Sequence, residues 1–316
     1  MVSPSGSNGR TARIRVPATT SNLGSAFDAV GLALQLYLVV EVRGLALGPS
    51  SLEFYGEDAQ LVPRDGTNLI WRTMTEVAAS GGRELPPFSL RVENRIPITK
   101  GLGSSAAAYL AGAAAADFLC GLSLSREKLL KIAADREGHP DNAAPAVWGG
   151  LVASVGAERI LCSRSEFPTA WTVIAVTPAF ELETRRARAV LPAQIPHQHA
   201  VYNVQRAAFL MAQLVQGRRE GLREAMRDLL HQPYRSDLVP GLRELLAMSD
   251  HEGLLGVALS GAGPTVIAFA DSHEQEIGSQ MRDVFARRGL AAEVRLLRAD
   301  NQGLVVEPCQ RHASPP

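Results

Sequence analysis

The spacing of apolar residues switches repeatedly between a two-residue and a three-to-four-residue period, so strands and helices are mixed along this chain. Residues 12–16 alternate as a strand that stops at Pro17, and residues 32–42 enclose the β-rich run Leu36, Tyr37, Leu38, Val39 and Val40. A helix is predicted over 67–80, with Leu69, Thr73 or Met74, and Val77 on one face, then a strand over 88–92. An alanine-rich helix runs from a glycine-serine loop to near Cys120, and a Ser125-capped helix spans 125–137. Residues 139–147 hold two prolines around Asp141 and Asn142, a structured turn entering a short element, and a strand covers 151–155. The polar, irregular stretch 162–168 suggests a boundary, with domains over 12–165 and 166–306. Beyond it the pattern predicts a strand over 171–176 and a helix over 201–215, with Val201, Val204, Ala208, Met211 and Val215 at helical spacing. Helical segments over 222–230 and 242–248, strands over 254–259 and 266–269, a helix over 274–288 and a strand over 292–297 complete the chain. There is no clean βαβα alternation and no long repeat, so the class is α+β.

The most informative local feature is the loop Pro97-Ile98-Thr99-Lys100-Gly101-Leu102-Gly103-Ser104-Ser105-Ala106-Ala107, which opens the alanine-rich helix. A helix start leaves N–H groups unpaired and is electropositive, so it suits an anion. Gly101 and Gly103 let a phosphate chain approach the backbone, while Ser104 and Ser105 can cap the helix and add hydroxyl ligands. The alternative is an ordinary capped helix whose alanines allow tight packing. It is not a Walker A loop, since no Gly-x-x-x-x-Gly-Lys-[Ser/Thr] is present. Gly101, Gly103 and Ala106 match a dinucleotide fingerprint, but residues 95–100 separate the glycines from the strand, and 125–130 reads as another helix.

Composition narrows the partners. Hydrophobic residues make up 46% and charged residues 20% of 316, which fits a soluble globular protein long enough for two domains. Formal net charge is zero, so no nucleic-acid or membrane partner is implied, and no stretch has the length of an apolar span. The 29 arginines against three lysines are evenly scattered. Cys120, Cys162 and Cys309 are odd in number and widely spaced, which points to a reducing compartment and no zinc site. Residues 1–10 lack the apolar core of a signal peptide, and 308–316 are expected to fray.

Three other segments carry candidate chemistry. Residues 17–28 read as a long polar loop offering the Asn22 amide and the Asp28 carboxylate, though both residue types also serve turns. Glu137-Gly138-His139-Pro140-Asp141-Asn142 could hold magnesium through Glu137 and orient a hydroxyl substrate through His139, Asp141 and Asn142. A capped helix start at Asp141 or Asn142, with His139 as a structural hydrogen-bonder, explains the same residues. The run Ser260-Gly261-Ala262-Gly263-Pro264-Thr265 lies between two strands, as a tight turn or a ligand approach. Arg188 and Arg235 supply guanidinium groups suited to carboxylates or phosphates, or simply solvated surface charge.

The loop 17–28, the glycine loop 97–107 and the run 259–264, in this order, resemble the three motifs of the GHMP small-molecule kinases, a superfamily that includes galactokinases, mevalonate kinases and homoserine kinases. The resemblance spans about residues 12–306. Gly138-His139-Pro140-Asp141-Asn142-Ala143-Ala144-Pro145-Ala146, Gln232-Pro233-Tyr234-Arg235, and Thr184 with Arg188 followed by Leu191-Pro192 look like the homoserine kinase branch. This resemblance implies a two-domain α+β fold, with a ferredoxin-like C-terminal domain and the active site in the cleft between domains. It implies ATP and Mg2+ as cofactors, L-homoserine as substrate, a step in threonine synthesis, and a cytoplasmic, often homodimeric protein. By that pattern the ATP site uses Asn68 at the adenine, the loop Pro97, Lys100, Gly101, Leu102, Gly103, Ser104, Ser105 and Ala106, and Gly261 and Gly263. Ser104 and Glu137 would hold magnesium, and Asn22, Asp28, His139, Asp141, Thr184, Arg188 and Arg235 would meet the substrate. Asn142 stands where mevalonate kinases carry a catalytic aspartate, so the resemblance implies in-line attack without a strong protein base. The first loop departs from the common pattern at 19–27, and the close spacing of Glu137 to His139 varies among subgroups. A kinase of another small alcohol, or a non-catalytic binding protein on this fold, are the alternatives.

Overall fold

The computed structural model describes residues 9–156, 159–249 and 251–309. Two sheets organise the chain. The first is built on a long central strand, β2 (Val30–Gly44), flanked by β1 (Thr11–Ser21) and β4 (Phe88–Asn94), with β3 (Ser51–Gly56) parallel to β4 at the edge. Between β3 and β4 runs α1 (Leu69–Ser80), the helical crossover that a parallel pair requires. After β4 come α2 (Ser104–Cys120), α3 (Arg126–Glu137) and α4 (Ala143–Trp148), and then β5 (Leu151–Val155), which pairs with the start of β2 and with β6 (Leu161–Ser165).

The second sheet begins with β7 (Thr172–Pro178). Helices α5 (Thr184–Ala189), α6 (His197–Gln216), α7 (Leu222–Ala225), α8 (Gln232–Arg235) and α9 (Leu242–Leu246) lead to β8 (Leu254–Leu259) and β9 (Val266–Ala270), followed by α10 (Glu274–Ala286) and β10 (Ala292–Leu297). These strands stack antiparallel in the order β10-β7-β9-β8. The last strand, β11 (Val305–Cys309), returns to the first sheet and pairs with β1.

The alanines of α2 explain how the first layer closes. Ala106, Ala107, Ala111 and Ala113–Ala116 are buried against the sheet and neighbouring helices. At Gly112 an added Cβ would stand 2.7 Å from the Ile70 carbonyl, so α1 and α2 meet almost backbone to backbone. The second core is built from Ile174, Val176, Leu259 and Val266 of the sheet with Ile277, Met281 and Phe285 of α10.

Several sequence expectations are corrected. The first strand does not stop at Pro17 but continues to Ser21, because a β-bulge between Pro17 and Ala18 absorbs the missing donor and β11 pairs only as far as Arg15. Thr19, Thr20 and Ser21 are therefore buried strand residues, and the loop proper is shorter than 17–28. The 162–168 region overlaps β6, which begins at Leu161 and whose residues are exposed on both faces and so show no apolar alternation. β3 has no counterpart among the sequence-predicted elements, although Leu52 and Phe54 alternate inward. The apolar stripe on α6 points outward, with Val204 69% exposed, and its buried face is Asn203, Leu210, Gln213 and Leu214. The helix expected over 222–230 ends at Ala225, because the Asp228 carboxylate accepts the N–H groups of Leu230, His231 and Gln232 and turns the chain. Pro308 and Cys309 pair with Ala12 and Thr11 rather than fraying, while 310–316, like residues 1–8, lie outside the described residues. Among the described residues no helix is long and apolar enough to cross a membrane.

Candidate active site

The three sequence motifs converge where the two sheets meet. Ser260 Oγ donates to the Gly101 carbonyl at 2.6 Å and lies 2.9 Å from Thr20 Oγ1. The Gly261 N–H donates to the Ser21 carbonyl at 3.2 Å, and the Thr265 N–H to the Lys100 carbonyl at 3.2 Å. The glycines serve this convergence directly. A Cβ at Gly101 would stand 2.4 Å from the Ser260 carbonyl, and one at Gly103 2.0 Å from Thr19 Oγ1. Their smallness thus lets the motifs close on one another, a role distinct from the phosphate approach that the sequence suggests. Gly103, at φ 73, is itself the N-cap of α2 with no side-chain cap, so Ser104 and Ser105 lie inside the first turn rather than capping it.

Beside this junction opens a cleft of about 520 Å³. Its apolar end is lined by Leu38, Phe54, Leu61, Val62, Pro63 and Ile70. Asn68 lies at this end, with its amide engaged as the N-cap of α1: Oδ1 accepts the Ile70 N–H at 2.9 Å and Nδ2 donates to the Pro63 carbonyl. Gly103, Ser104 and Ser105 occupy the middle, at the N-terminus of the 17-residue α2. Glu137, the last residue of α3, faces them. Burial raises its pKa, a hydrogen bond with Ser105 opposes that rise, and it forms no ion pair among the described residues. A half-buried carboxylate with no ion-pair partner among the described residues, beside two hydroxyls and a helix N-terminus, is a donor set that fits a hard divalent cation.

The polar end gathers the remaining candidates. Asn142 occupies the N-cap position of α4 but makes no capping bond. Its Oδ1 instead accepts Thr19 Oγ1 at 2.9 Å and its Nδ2 donates to Ser21 Oγ at 3.1 Å, so the capped-helix explanation does not hold. His139 Nδ1 makes a short bond to Asp141 Oδ1, and its buried Nε2 has no hydrogen-bond partner among the described residues. Burial works to lower the His139 pKa, but the Asp141 bond and charge outweigh it and raise it. The short helix α5 places Thr184 and Arg188 on one face, one turn apart. Arg188 holds Asp28 in a bidentate pair, 2.7 and 3.0 Å. Asn22, at φ 72, bridges the loop: Nδ2 donates to the Gly261 carbonyl and Oδ1 accepts the Asp28 N–H. Arg235 is 1% exposed, and burial pushes its pKa down to about 10, so it stays protonated at neutral pH.

Most of the expected site residues line this cleft, and five do not. Pro97 and Leu102 are buried beneath the loop, and the Leu102 carbonyl accepts the Thr19 N–H. Ala106 faces the core, Lys100 Nζ donates to the Phe180 carbonyl at 2.6 Å, and Gly263 precedes the cis peptide to Pro264. Their contribution is the loop's shape. Sequence reasoning misses Thr19 and Ser21 as partners of Asn142, the apolar end, and Phe27, whose ring lies under both Arg188 and Arg235 at 5.6 and 5.3 Å. Phe27 stands one residue from Asp28, but an aromatic in a loop gives no signal of its own.

Similarity to known proteins follows the same outline. Residues 68–150 match the GHMP kinases N terminal domain and residues 210–287 the GHMP kinases C terminal domain. The chain is 43% identical over 296 residues to homoserine kinase of Desulfitobacterium hafniense, covering 93% of this chain and 99% of that protein. It is 40% identical to homoserine kinase of Moorella thermoacetica, with 93% and 99% covered. The crystal structure of homoserine kinase from Cytophaga hutchinsonii superimposes with a TM-score of 0.83 at 26% identity, covering 97% and 99% of the two chains.

Proposed function

We propose that this chain, which belongs to the homoserine kinase family of the GHMP kinases, transfers the terminal phosphoryl group of ATP to the side-chain hydroxyl of L-homoserine, giving O-phospho-L-homoserine and ADP for threonine synthesis. One observation carries the substrate assignment. A single cleft holds a helix N-terminus with two hydroxyls, a half-buried carboxylate and two guanidinium groups beside a second carboxylate. That last set complements an amino acid: Arg188 and Arg235 suit its carboxylate and Asp28 its ammonium.

In this reading the apolar end takes the adenine, and Asn68 acts by fixing the start of α1. The phosphates lie over Gly101–Ser105. Glu137, with Ser104 and with the Ser105 hydroxyl it meets, would hold Mg2+, which when bound neutralises phosphate charge. The homoserine hydroxyl oxygen attacks the terminal phosphorus and the bond to the β-phosphate oxygen breaks. An amide is no base, so Asn142 orients rather than deprotonates, and the hydroxyl proton leaves with the transferred group or to solvent. Positioning and charge neutralisation supply the acceleration, as phosphoryl transfer allows. His139 lines the cleft, and its bond to Asp141 fixes the ring. Thr184 and Asn22 shape the same end. A homodimer and a cytoplasmic location belong to this reading, and sedimentation equilibrium measures the former.

The test is ATP consumption with homoserine, threonine, serine, mevalonate, galactose and 1,3-propanediol. Homoserine is expected to be the preferred acceptor, and 1,3-propanediol, with a comparable hydroxyl and neither ionic group, to be poor. Equal use of the two would remove the homoserine assignment and leave the kinase class.

A further inference from the structure

Behind Arg235 lies a buried imidazole that the mechanism above does not use. His231 directly precedes α8 and is fully buried. Its Nε2 stands 2.8 Å from the Gly24 carbonyl, and its Nδ1 stands 3.2 Å from Arg235 Nη1. A carbonyl only accepts, so Nε2 carries the proton. A guanidinium only donates, so Nδ1 must offer its lone pair. These two contacts require a neutral ring with its hydrogen on Nε2. Burial, which lowers the His231 pKa, agrees with that state, and so does the charge of Arg235. Asp228 opposes it from 3.5 Å, but its carboxylate is already engaged by three backbone N–H groups and the Asn203 amide.

The rest of the surroundings fix Arg235 on every side but one. The His231 ring stacks on Phe27 at 5.0 Å and 20°, and the Arg235 guanidinium lies over the same Phe27 ring. Nε donates to the Ala187 carbonyl and Nη1 to the Gly261 carbonyl, both at 3.0 Å. Among the described residues no hydrogen bond within the chain takes up Nη2, and Arg235 lines the cleft. The Ala187 carbonyl comes from the helix that carries Arg188, and the Gly261 carbonyl from the third motif.

We infer that His231 is a positioning residue for the amino-acid substrate: its unprotonated Nδ1 fixes the roll of the Arg235 guanidinium so that Nη2 faces the substrate carboxylate. This rests on the homoserine reading above. Without an acceptor at Nδ1 one of the three bonds within the chain that set the plane of the guanidinium is lost, and the direction of the two Nη2 hydrogens depends on that plane.

Steady-state kinetics of His231→Leu and His231→Asn test it, beside the wild type. Leucine fills the space without an acceptor, whereas asparagine sets an amide oxygen near the Nδ1 position. His231→Leu is expected to raise the homoserine KM roughly 10–100-fold, the worth of one charge-assisted hydrogen bond, while the ATP KM stays within about two-fold. His231→Asn should recover most of that loss. Both KM values rising together in His231→Leu, an unchanged homoserine KM, or asparagine no better than leucine would each overturn the inference. Failure of the wild type to phosphorylate homoserine would instead remove the functional reading. Nitrogen NMR of the wild type labelled at histidine remains decisive if His231→Leu does not fold: a neutral ring with hydrogen on Nε2 at neutral pH is expected, and an imidazolium or the opposite tautomer refutes the inference.

Discussion

Arg188 and Arg235 face one cleft under opposite conditions. The side chains of the Arg188–Asp28 pair are 35% and 33% exposed, so solvent screens them and their attraction adds little to folding. Arg235 is buried and satisfies two backbone carbonyls. Arg188→Ala is therefore expected to leave denaturant unfolding nearly unchanged while raising the homoserine KM roughly 10–100-fold. Arg235→Ala should raise that KM similarly but also cost on the order of 1–3 kcal/mol for each carbonyl left unpaired. Lysine at 188 should rescue in part, since it restores charge without the planar fork. If Arg188→Ala unfolds as readily as Arg235→Ala, the contrast in burial has been misread. The resemblance to the homoserine kinase branch singles out both arginines in the sequence, whereas residue type alone leaves solvated surface charge as the alternative. Their different burial is not legible there, because it depends on Phe27, Ala187 and Gly261 arriving from separate parts of the chain. Asn142 shows the same limit: its sequence position suits a helix cap or a catalytic place, and only Thr19 and Ser21, brought close by a strand running on through a proline, separate the two.

Among elements, the loop leading into α2 is tightly constrained. Gly103 and Gly138 both have positive φ, 73 and 83, yet an added Cβ meets Thr19 Oγ1 at 2.0 Å at the first and nothing within 4 Å at the second. Gly138→Ala should thus cost only the backbone strain, about 1–2 kcal/mol. Gly103→Ala carries the same strain and must also displace Thr19, the hydroxyl that holds Asn142. A shift of about 1 Å in a supporting residue can cost roughly 100-fold in rate, so Gly103→Ala should lose far more turnover than Gly138→Ala. Equal kinetic losses in the two variants would detach Thr19 from the site. Elements with a strong period, such as α1 and α10, are legible in the sequence because burial on one face imposes that period, whereas α2, buried nearly all round, is legible from its glycine-serine start and alanine run. β6 is not, since a strand exposed on both faces carries no alternation. The stripe on α6 has helical spacing but points outward, because Asn203 and Gln213 turn inward to bond Asp228 and the Glu220 carbonyl. Periodicity locates that helix and misassigns its face.

At the scale of the whole molecule the first and last described strands share a sheet. β11 pairs with Thr11–Arg15 at the start of β1, and the far end of β1 carries Thr19 and Ser21 into the site. The composition and motifs make the two-sheet α+β plan readable, but not this return, since a short exposed terminal strand has no pattern beyond a few alternating residues. The return gives β1 a second partner, so the strand that holds Asn142 is an inner strand along its first half and not an edge. Ending the chain after Leu304 should bare that edge, whereas ending it after Cys309 should not. The first truncation removes a handful of ladder hydrogen bonds, each contributing about 0.5–1.5 kcal/mol, and is expected to lower the melting temperature by several degrees. An exposed strand edge also recruits other chains, so aggregation on warming should appear in the shorter form alone. Scanning calorimetry and light scattering on the two truncated forms read both effects. Equal melting and equal scattering would mean that β1 needs no partner on that side, and that the chain's last strand is an accessory to the fold.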